Sequence, residues 1–189
     1  MRRLFRKGRE KIRTRRGFSL TETLVAMGLL SIMSAAAVLG VGQALAQRSR
    51  AIALADAQTV ASTAAQVITD QLRYGRIDPG HTVDNTVVLA SGTYGGPMSM
   101  TLDEGGHLIT RAVSLSGGSL TEGAAYALLG ADAYCGLRLR DLRFTPHTDG
   151  DAVESVEVSF QVTSETSENV LWELGFSIAP INEQIFVLE

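Results

Sequence analysis

An uncharged apolar run from Thr23 to Ala46 constrains this chain of 189 residues more than any other feature. The run is rich in Leu, Val, Ile, Met and Ala, and about 20 such residues are enough to cross a bilayer as a helix. Glu22 stands directly before it, although a carboxylate at membrane depth costs roughly 2.5–3.5 kcal/mol. A segment suited to a membrane therefore begins with a charge that needs a partner.

Charge is distributed unevenly on the two sides of this run. Residues 1–17 hold nine Lys and Arg against one acid, whereas residues 18–189 hold eight Arg and 19 acids. By the positive-inside rule, a basic block beside an apolar run stays in the cytoplasm. We therefore expect a single pass of the inner membrane, with the N-terminus inside and the C-terminal part outside. We expect no nucleic-acid partner, because the acidic remainder repels phosphate.

Three kinds of N-terminal segment fit this layout. A cleaved secretory signal is favoured by Ala44-Leu45-Ala46, an A-x-A pattern before Gln47, but the apolar core of such a signal is usually only about 7–15 residues long. A signal anchor keeps the apolar run in the membrane without processing. The third kind is processed on the cytoplasmic side of the run, between Gly17 and Phe18.

The residues around Gly17 favour the third kind. Residues 15–22 read Arg-Arg-Gly-Phe-Ser-Leu-Thr-Glu, and with the apolar run they resemble the N-terminus of type IV pilins and type II secretion pseudopilins. The resemblance implies that a prepilin peptidase cleaves after Gly17 and N-methylates Phe18. It also implies that Glu22 is the glutamate that stands fifth in the mature chains of this family. Thr21 departs from the family pattern, which more often has an apolar residue there, and no proline interrupts the apolar run.

The chemistry of this motif accounts for Glu22. Glycine at position 17 has no side chain to obstruct a protease. Cleavage removes nine basic residues and creates a free α-amine at Phe18, and pairing with that amine on a neighbouring subunit offsets the desolvation of Glu22. The expected function is that of a prepilin-like structural subunit, a pseudopilin or minor pilin, in a type IV pilus or a type II secretion or competence-type filament. The alternative is a signal-anchored or secreted surface binding protein that does not form filaments.

The partners implied by the resemblance are the prepilin peptidase, which is also the methyltransferase, other pilin or pseudopilin subunits, and the inner or cytoplasmic membrane. The expected organisation has four parts: a cleaved basic leader at 1–17, a transmembrane and assembly helix at 18–47, its amphipathic continuation at 48–76, and an exported β-sheet domain at 77–189.

Periodicity predicts the fold class. The helical pattern continues to about residue 74, where Gly75 and then Asp78-Pro79-Gly80 are expected to end it. One helical face carries Val60, Ala64, Val67, Ile68 and Leu72. The period then changes to two, as expected of strands, at 98–102, 107–115, 137–144, 156–162 and 170–178. A slip of phase near Asp141 predicts a bulge or two separate strands. The expected class is α+β, with one long N-terminal helix, its first half transmembrane, packed on a C-terminal antiparallel sheet.

No residue pattern predicts catalysis, a metal or a cofactor. The three histidines, His81, His107 and His147, have no metal-ligand spacing. The Asp149-Gly150-Asp151 turn with Glu154 lacks the order of a calcium loop, so it is interpreted as an acidic turn. Cys135 is the single cysteine, so no intrachain disulfide forms. We expect a protein that is not an enzyme but a substrate of the peptidase.

Overall fold

The computed structural model describes residues 19–91, 95–116, 119–150, 152–167, 169–182 and 184–188. The chain divides into two compact units, Met1–Arg48 and Ser49–Glu189. One helix, α1, extends from Leu20 to Tyr74 and contributes residues to both units. All described strands belong to the second unit.

Within the first unit, α1 is uncharged and largely apolar from Thr23 to Ala46. Its large hydrophobic side chains between residues 20 and 45 are 58–80% exposed. By length and composition the helix can cross a membrane, with a mean hydropathy of 2.3 over 18 residues. Its serines are satisfied internally, because Ser31 Oγ donates to the carbonyl O of Gly28 and Ser34 Oγ to that of Leu30, both at 2.8 Å. A helix that is apolar all round requires lipid or other apolar helices around it.

Within the described residues, the strands of the second unit form two antiparallel sheets. The first has the order β1-β2-β3-β4-β5, with β1 Arg76–Val83, β2 Thr86–Ala90, β3 Pro97–Leu102, β4 Leu108–Ser116 and β5 Ser119–Ala127. The second has the order β6-β7-β8, with β6 Leu137–Asp149, β7 Ala152–Ser164 and β8 Val170–Ile178. A short 3-10 helix, Ala131–Tyr134, lies between β5 and β6 along the chain. The α+β class is thereby confirmed.

The core of the second unit lies between its helical segment and both sheets. The predicted helical face is confirmed, since Val60, Ala64, Ile68 and Leu72 are buried and Val67 packs half-buried against them. This face contacts one continuous cluster of buried side chains from the two sheets, among them Ile77, Val87, Leu89, Met100, Leu108, Leu139, Leu142, Phe144, Val156, Val158, Phe160 and Val162. Burial of apolar area on this scale is the main force that holds the helical segment to the sheets.

The sequence predicted one sheet, but the described strands form two: β6 pairs with β7, and its further backbone bonds go to turns of the first sheet. The N–H of Leu139 donates to the carbonyl O of Gly106 at 2.9 Å, and the N–H of Phe144 to that of Asp84 at 2.8 Å. Gly106 has a φ of +78°, and a Cβ there would approach the carbonyl O of Leu139 to 2.5 Å. This turn therefore requires glycine.

The predicted end of the helix is confirmed, but the predicted role of Asp78-Pro79-Gly80 is wrong. The helix ends at Tyr74 as expected, but Asp78-Pro79-Gly80 does not serve as a terminator. Those residues lie inside β1, where the register with β2 is irregular between Asp78 and Val83. An edge strand accepts a proline because the missing N–H is not needed by the ladder.

Tyr134 anchors the 3-10 helix in the core. Its side chain is 1% exposed, and its Oη accepts the N–H of Leu108 at 2.6 Å. Its ring meets that of His107 edge to face, with the centroids 4.7 Å apart. Burial raises the pKa of Tyr134 above its ordinary value; the bond from Leu108 opposes this change and the charge of Asp103 adds to it. The phenol therefore stays protonated in the folded chain.

Asp103 closes the turn between β3 and β4. Its carboxylate accepts the N–H of His107 at 2.7 Å and lies 3.3 Å from His107 Nδ1. Partial burial raises the pKa of Asp103, but the hydrogen bonds and charge of His107 and the N–H of Gly105 outweigh burial, so that its pKa lies below the ordinary value. Ionised Asp103 therefore stabilises the turn fully at pH values above the pKa that this carboxyl group has in the unfolded chain. The contribution is lost as pH falls through the lower pKa of Asp103 in the folded chain.

Replacement of Tyr134 by phenylalanine is expected to lower the free energy of unfolding by about 1–3 kcal/mol, because the buried N–H of Leu108 loses its partner. Urea titration of the full chain in detergent, followed by the fluorescence of the single tryptophan, Trp172, measures this. The matched control is Tyr126→Phe, since Tyr126 is 62% exposed and the change there is expected to stay within about 0.5 kcal/mol. Wild-type stability of Tyr134→Phe would contradict the role given to the hydroxyl.

Candidate processing and assembly site

The predicted processing residues, Gly17 and Phe18, lie outside the described residues, so cleavage between them stays a prediction. Glu22, the predicted assembly residue, lies in the first turn of α1. A carboxylate in this position interacts favourably with the positive end of the helix dipole.

Ser19 caps the start of α1. Its Oγ accepts the N–H of Glu22 at 3.2 Å, and its carbonyl O accepts the N–H of Thr23 at 3.1 Å. Ser19 and Glu22 have the spacing of a capping box, in which the glutamate side chain returns a bond to the N–H of the serine. That second bond is not made between these two residues, so the Glu22 carboxylate is not used to close the helix end.

The carboxylate of Glu22 is exposed and has no partner among the residues that the structure describes. It makes neither a hydrogen bond nor an ion pair with any residue that the structure describes. It also borders the apolar surface of α1, beginning with Leu20 and Leu24, which are 80% and 64% exposed. Where lipid or apolar helices cover this surface, an unpaired carboxylate is costly, and its partner has to come from outside the described residues.

The histidines are spread over separate parts of the second unit. His81 pairs with Asp78 at 2.8 Å and His107 with Asp103 at 3.3 Å, and His147 Nε2 lies 3.8 Å from Glu157 Oε2. Across the described ranges, no three His, Cys, Asp or Glu side chains are grouped so that they could hold a metal ion.

The acidic turn at Gly150 and the cysteine at position 135 both lie where the backbone has a positive φ. Gly150, with a φ of +58°, turns the chain between β6 and β7, while Asp151 lies outside the described residues. Cys135 is exposed, and its φ of +53° places it in the left-handed region just after the 3-10 helix.

One charged feature was not predicted from the sequence. Strand β6 carries three arginines within six residues, Arg138, Arg140 and Arg143, hereafter the arginine row. Their partners in register on β7 are Thr163, Gln161 and Ser159. The signal was present in residues 137–143, Leu-Arg-Leu-Arg-Asp-Leu-Arg, in which arginines alternate with leucines once one extra residue is allowed for.

Residues 12–38 match the family model of the prokaryotic N-terminal methylation motif. No curated protein and no solved structure matches the chain. The matched segment contains Gly17, Phe18 and Glu22 together with much of the apolar run, so the resemblance drawn from these residues is confirmed. At residues 12–38 the chain carries the prepilin-type cleavage and methylation motif of type IV pilin-like proteins.

Proposed function

We propose that this chain is a prepilin-like structural subunit, a pseudopilin or minor pilin, that assembles into a type IV pilus or into a type II secretion or competence-type filament. The observation that carries the proposal is the methylation motif at 12–38, which overlaps the start of a helix whose residues from 23 to 46 are exposed and largely apolar. Such a helix fits a subunit that leaves lipid for a bundle of like helices. The motif indicates a structural subunit, and we propose no catalytic role and no cofactor.

In this proposal, residues 1–17 are a leader that a prepilin peptidase removes before methylating Phe18. Residues 18–47 hold the subunit in the inner membrane and later in the filament, and residues 48–76 continue the helix. Residues 77–189 form the domain exposed outside the membrane. The basic leader supports this orientation, because nine Lys and Arg before the apolar run favour retention of the N-terminus in the cytoplasm.

The carboxylate of Glu22, which has no partner among the described residues, is assigned the Phe18 amine of a neighbouring subunit as its partner. The two groups carry opposite charges, and each is costly to desolvate alone. Pairing them between subunits fixes the axial position of one helix against the next, in the way that a buried polar group fixes the register of a coiled coil. Glu22 is then a register-setting residue more than a source of stability.

Mass spectrometry of the N-terminal peptide, on protein from its native host, tests the proposal. We expect a chain that begins with N-methylated Phe18. A soluble product that begins at Gln47 would instead support a secreted binding protein, which the Ala44-Leu45-Ala46 pattern favours. An intact leader would support a signal-anchored binding protein. Either of these results would overturn the proposal.

Replacement of Glu22 by glutamine is expected to leave cleavage intact and to lower incorporation into filaments by about tenfold or more, because truncating one partner of a desolvated charge pair commonly costs 2–5 kcal/mol. The measurement compares processed subunit in sheared filaments with processed subunit in membranes. The matched control is Glu22→Asp, which keeps the charge and is expected to assemble better than glutamine. Wild-type incorporation of Glu22→Gln would remove the register role.

A further inference from the structure

Among the described strands, β1, β5, β6 and β8 lie at the ends of the two sheets, and the first three have a covered or interrupted edge. Strand β1 contains Pro79 and meets the C-terminal segment, where the N–H of Phe186 donates to the carbonyl O of Ile77 at 3.0 Å. Strand β6 donates to turns of the first sheet. The register of β5 is irregular where it passes from Arg111 to Val113 of β4. Covering segments, prolines and bulges are the usual protection of a sheet edge.

Strand β8, Val170–Ile178, has an outer edge that no described residue covers. It pairs with β7 on one side, and the backbone bonds of the described loops and turns include none from β8. Its register with β7 is unbroken from Trp172 to Ile178, and it contains no Lys, Arg or Pro. About every second N–H and C=O of such a strand points away from its neighbour. The edge therefore presents a row of backbone donors and acceptors suited to an extended chain.

The side of β8 that faces the core is only partly covered. Trp172, Leu174 and Phe176 pack against the core there but stay half-buried. Their partners in register on β7 are at most 1% exposed: Val162, Phe160 and Val158. The apolar side of the sheet thus continues onto its last strand, and apolar side chains on one further strand would complete the burial of this row.

The opposite side of β8 carries a single charge, that of Glu173. Its side chain is exposed and forms neither a hydrogen bond nor an ion pair with a described residue. Opposite charges that face each other on neighbouring strands stabilise a sheet, whereas like charges destabilise it. A strand added at this edge is therefore favoured when it places Lys or Arg opposite Glu173.

A second copy of the chain does not supply this charge from a comparable strand. Neither β8 nor β5, whose outer edge is also uncovered among the described residues, contains a Lys or an Arg. Paired with either strand of a second copy, Glu173 would lie opposite a neutral side chain or another glutamate. The chemistry of the edge thus favours a strand from a different polypeptide.

We propose that the outer edge of β8 binds an extended strand of a different polypeptide. Its alternate apolar side chains lie against Trp172, Leu174 and Phe176, and a basic residue lies opposite Glu173. In this mode of recognition the main-chain bonds provide affinity, and the alternate side chains provide specificity. The proposal goes beyond the function proposed above and does not depend on it, because every residue involved lies in the second unit.

Hydrogen exchange of the full chain in detergent, resolved to single amides, tests this proposal with a defined probe. The probe is a synthetic peptide of the length of β8 in which valine alternates with lysine. We expect it to slow exchange several-fold at alternate amides of residues 170–178, because the outward N–H groups gain acceptors. The amides between them are already bonded to β7 and should change less.

Two further peptides control for composition and charge. A peptide with the same valines and lysines in two separate blocks has no alternating apolar side and should give no protection of β8. A peptide in which valine alternates with glutamate should protect β8 less than the lysine peptide, because like charges then face each other. Equal protection by the block peptide would overturn the proposal. Absence of protection by the alternating lysine peptide, up to its solubility limit, would do the same.

Glu173→Lys is expected to exchange the preference, so that the glutamate peptide protects β8 more than the lysine peptide. The exposed position allows this change without loss of the fold. The matched control is Glu104→Lys, which makes the same change of charge at an exposed position between β3 and β4 and should keep the wild-type preference. An unchanged preference in Glu173→Lys would overturn the assigned partner chemistry.

The chain without any peptide distinguishes a different polypeptide from a second copy. Exchange at residues 170–178 should not depend on the concentration of the chain. Protection of the same alternate amides that rises with chain concentration would show that a second copy fills the edge, and it would overturn the proposal.

Discussion

Replacement of Gly17 by leucine is expected to leave the 17-residue leader on nearly every chain and to prevent filament assembly, with the protein retained in the membrane. The branched side chain obstructs the close approach that a backbone without Cβ offers to a protease. The retained leader also keeps nine Lys and Arg next to the apolar helix, and these charges hold its N-terminal end at the cytoplasmic surface. Intact mass and the N-terminal peptide, measured on membranes and on sheared filaments, report both effects.

Gly8→Leu supplies the matched control, because it makes the same substitution inside the leader but away from the cleavage site. That variant should be processed like the wild type. A signal anchor predicts that Gly17→Leu changes neither the size nor the location of the protein. Cleavage of Gly17→Leu at the wild-type level would therefore count against prepilin processing.

The parts of the fold that were predictable are those in which one face alone is buried. The helical face at Val60 to Leu72 and the alternation at Met98 to Leu102 each leave a periodic pattern, and the structure has a helix and a strand there. The slip of phase at Asp141 was also readable, because Leu139 and Leu142 both had to face inward. In each case the spacing of apolar residues along the chain follows from the burial of one face of a single helix or strand.

Other strands leave no such pattern. Val87, Val88 and Leu89 of β2 are all buried, because Val88 packs on the opposite face of the sheet with Val113 and Leu188. The described side chains of β5 from 120 to 127 are all exposed, so alternation is absent there as well. The bonds from β6 to turns of the first sheet join residues far apart in the chain, which no window of sequence contains.

Of the features described for the candidate sites, the methylation motif was predicted from the sequence and the arginine row was not. The methylation motif is a contiguous pattern with a fixed spacing from Gly17 to Glu22, and it was predicted from the resemblance of these residues to a known family. The arginine row was missed because strand patterns are followed through their apolar residues, and its meaning depends on β7 and β8 beside it. Charge on one face of a sheet becomes visible only after the register is known.

Replacement of Asp78 by alanine is expected to lower the free energy of unfolding by about 3 kcal/mol or more, because several donors, among them the buried N–H of Leu188, lose one shared and buried acceptor. The Asp78 side chain is 3% exposed. Its Oδ1 accepts the N–H groups of Gly80 at 2.9 Å and His81 at 3.3 Å. Its Oδ2 lies 2.8 Å from His81 Nδ1 and accepts the N–H of Leu188 at 3.1 Å. One carboxylate thus joins β1 to a segment 110 residues away.

The same change should release that segment before the whole unit unfolds. Once the bond to Asp78 is lost, Leu188 keeps only its small cluster with Val88 and Val113, while the residues before it keep the bond from the N–H of Phe186 to the carbonyl O of Ile77 and the packing of Ile185 on the main core. Hydrogen exchange at residues 184–188 should therefore rise together with the loss of stability, and Asp78→Asn, which keeps one acceptor oxygen, should fall between alanine and the wild type. Asp84→Ala removes an exposed carboxylate from the neighbouring turn and should change stability by no more than about 0.5 kcal/mol. Equal effects of Asp78→Ala and Asp84→Ala would show that charge, and not the shared acceptor, governs the stability of this hairpin.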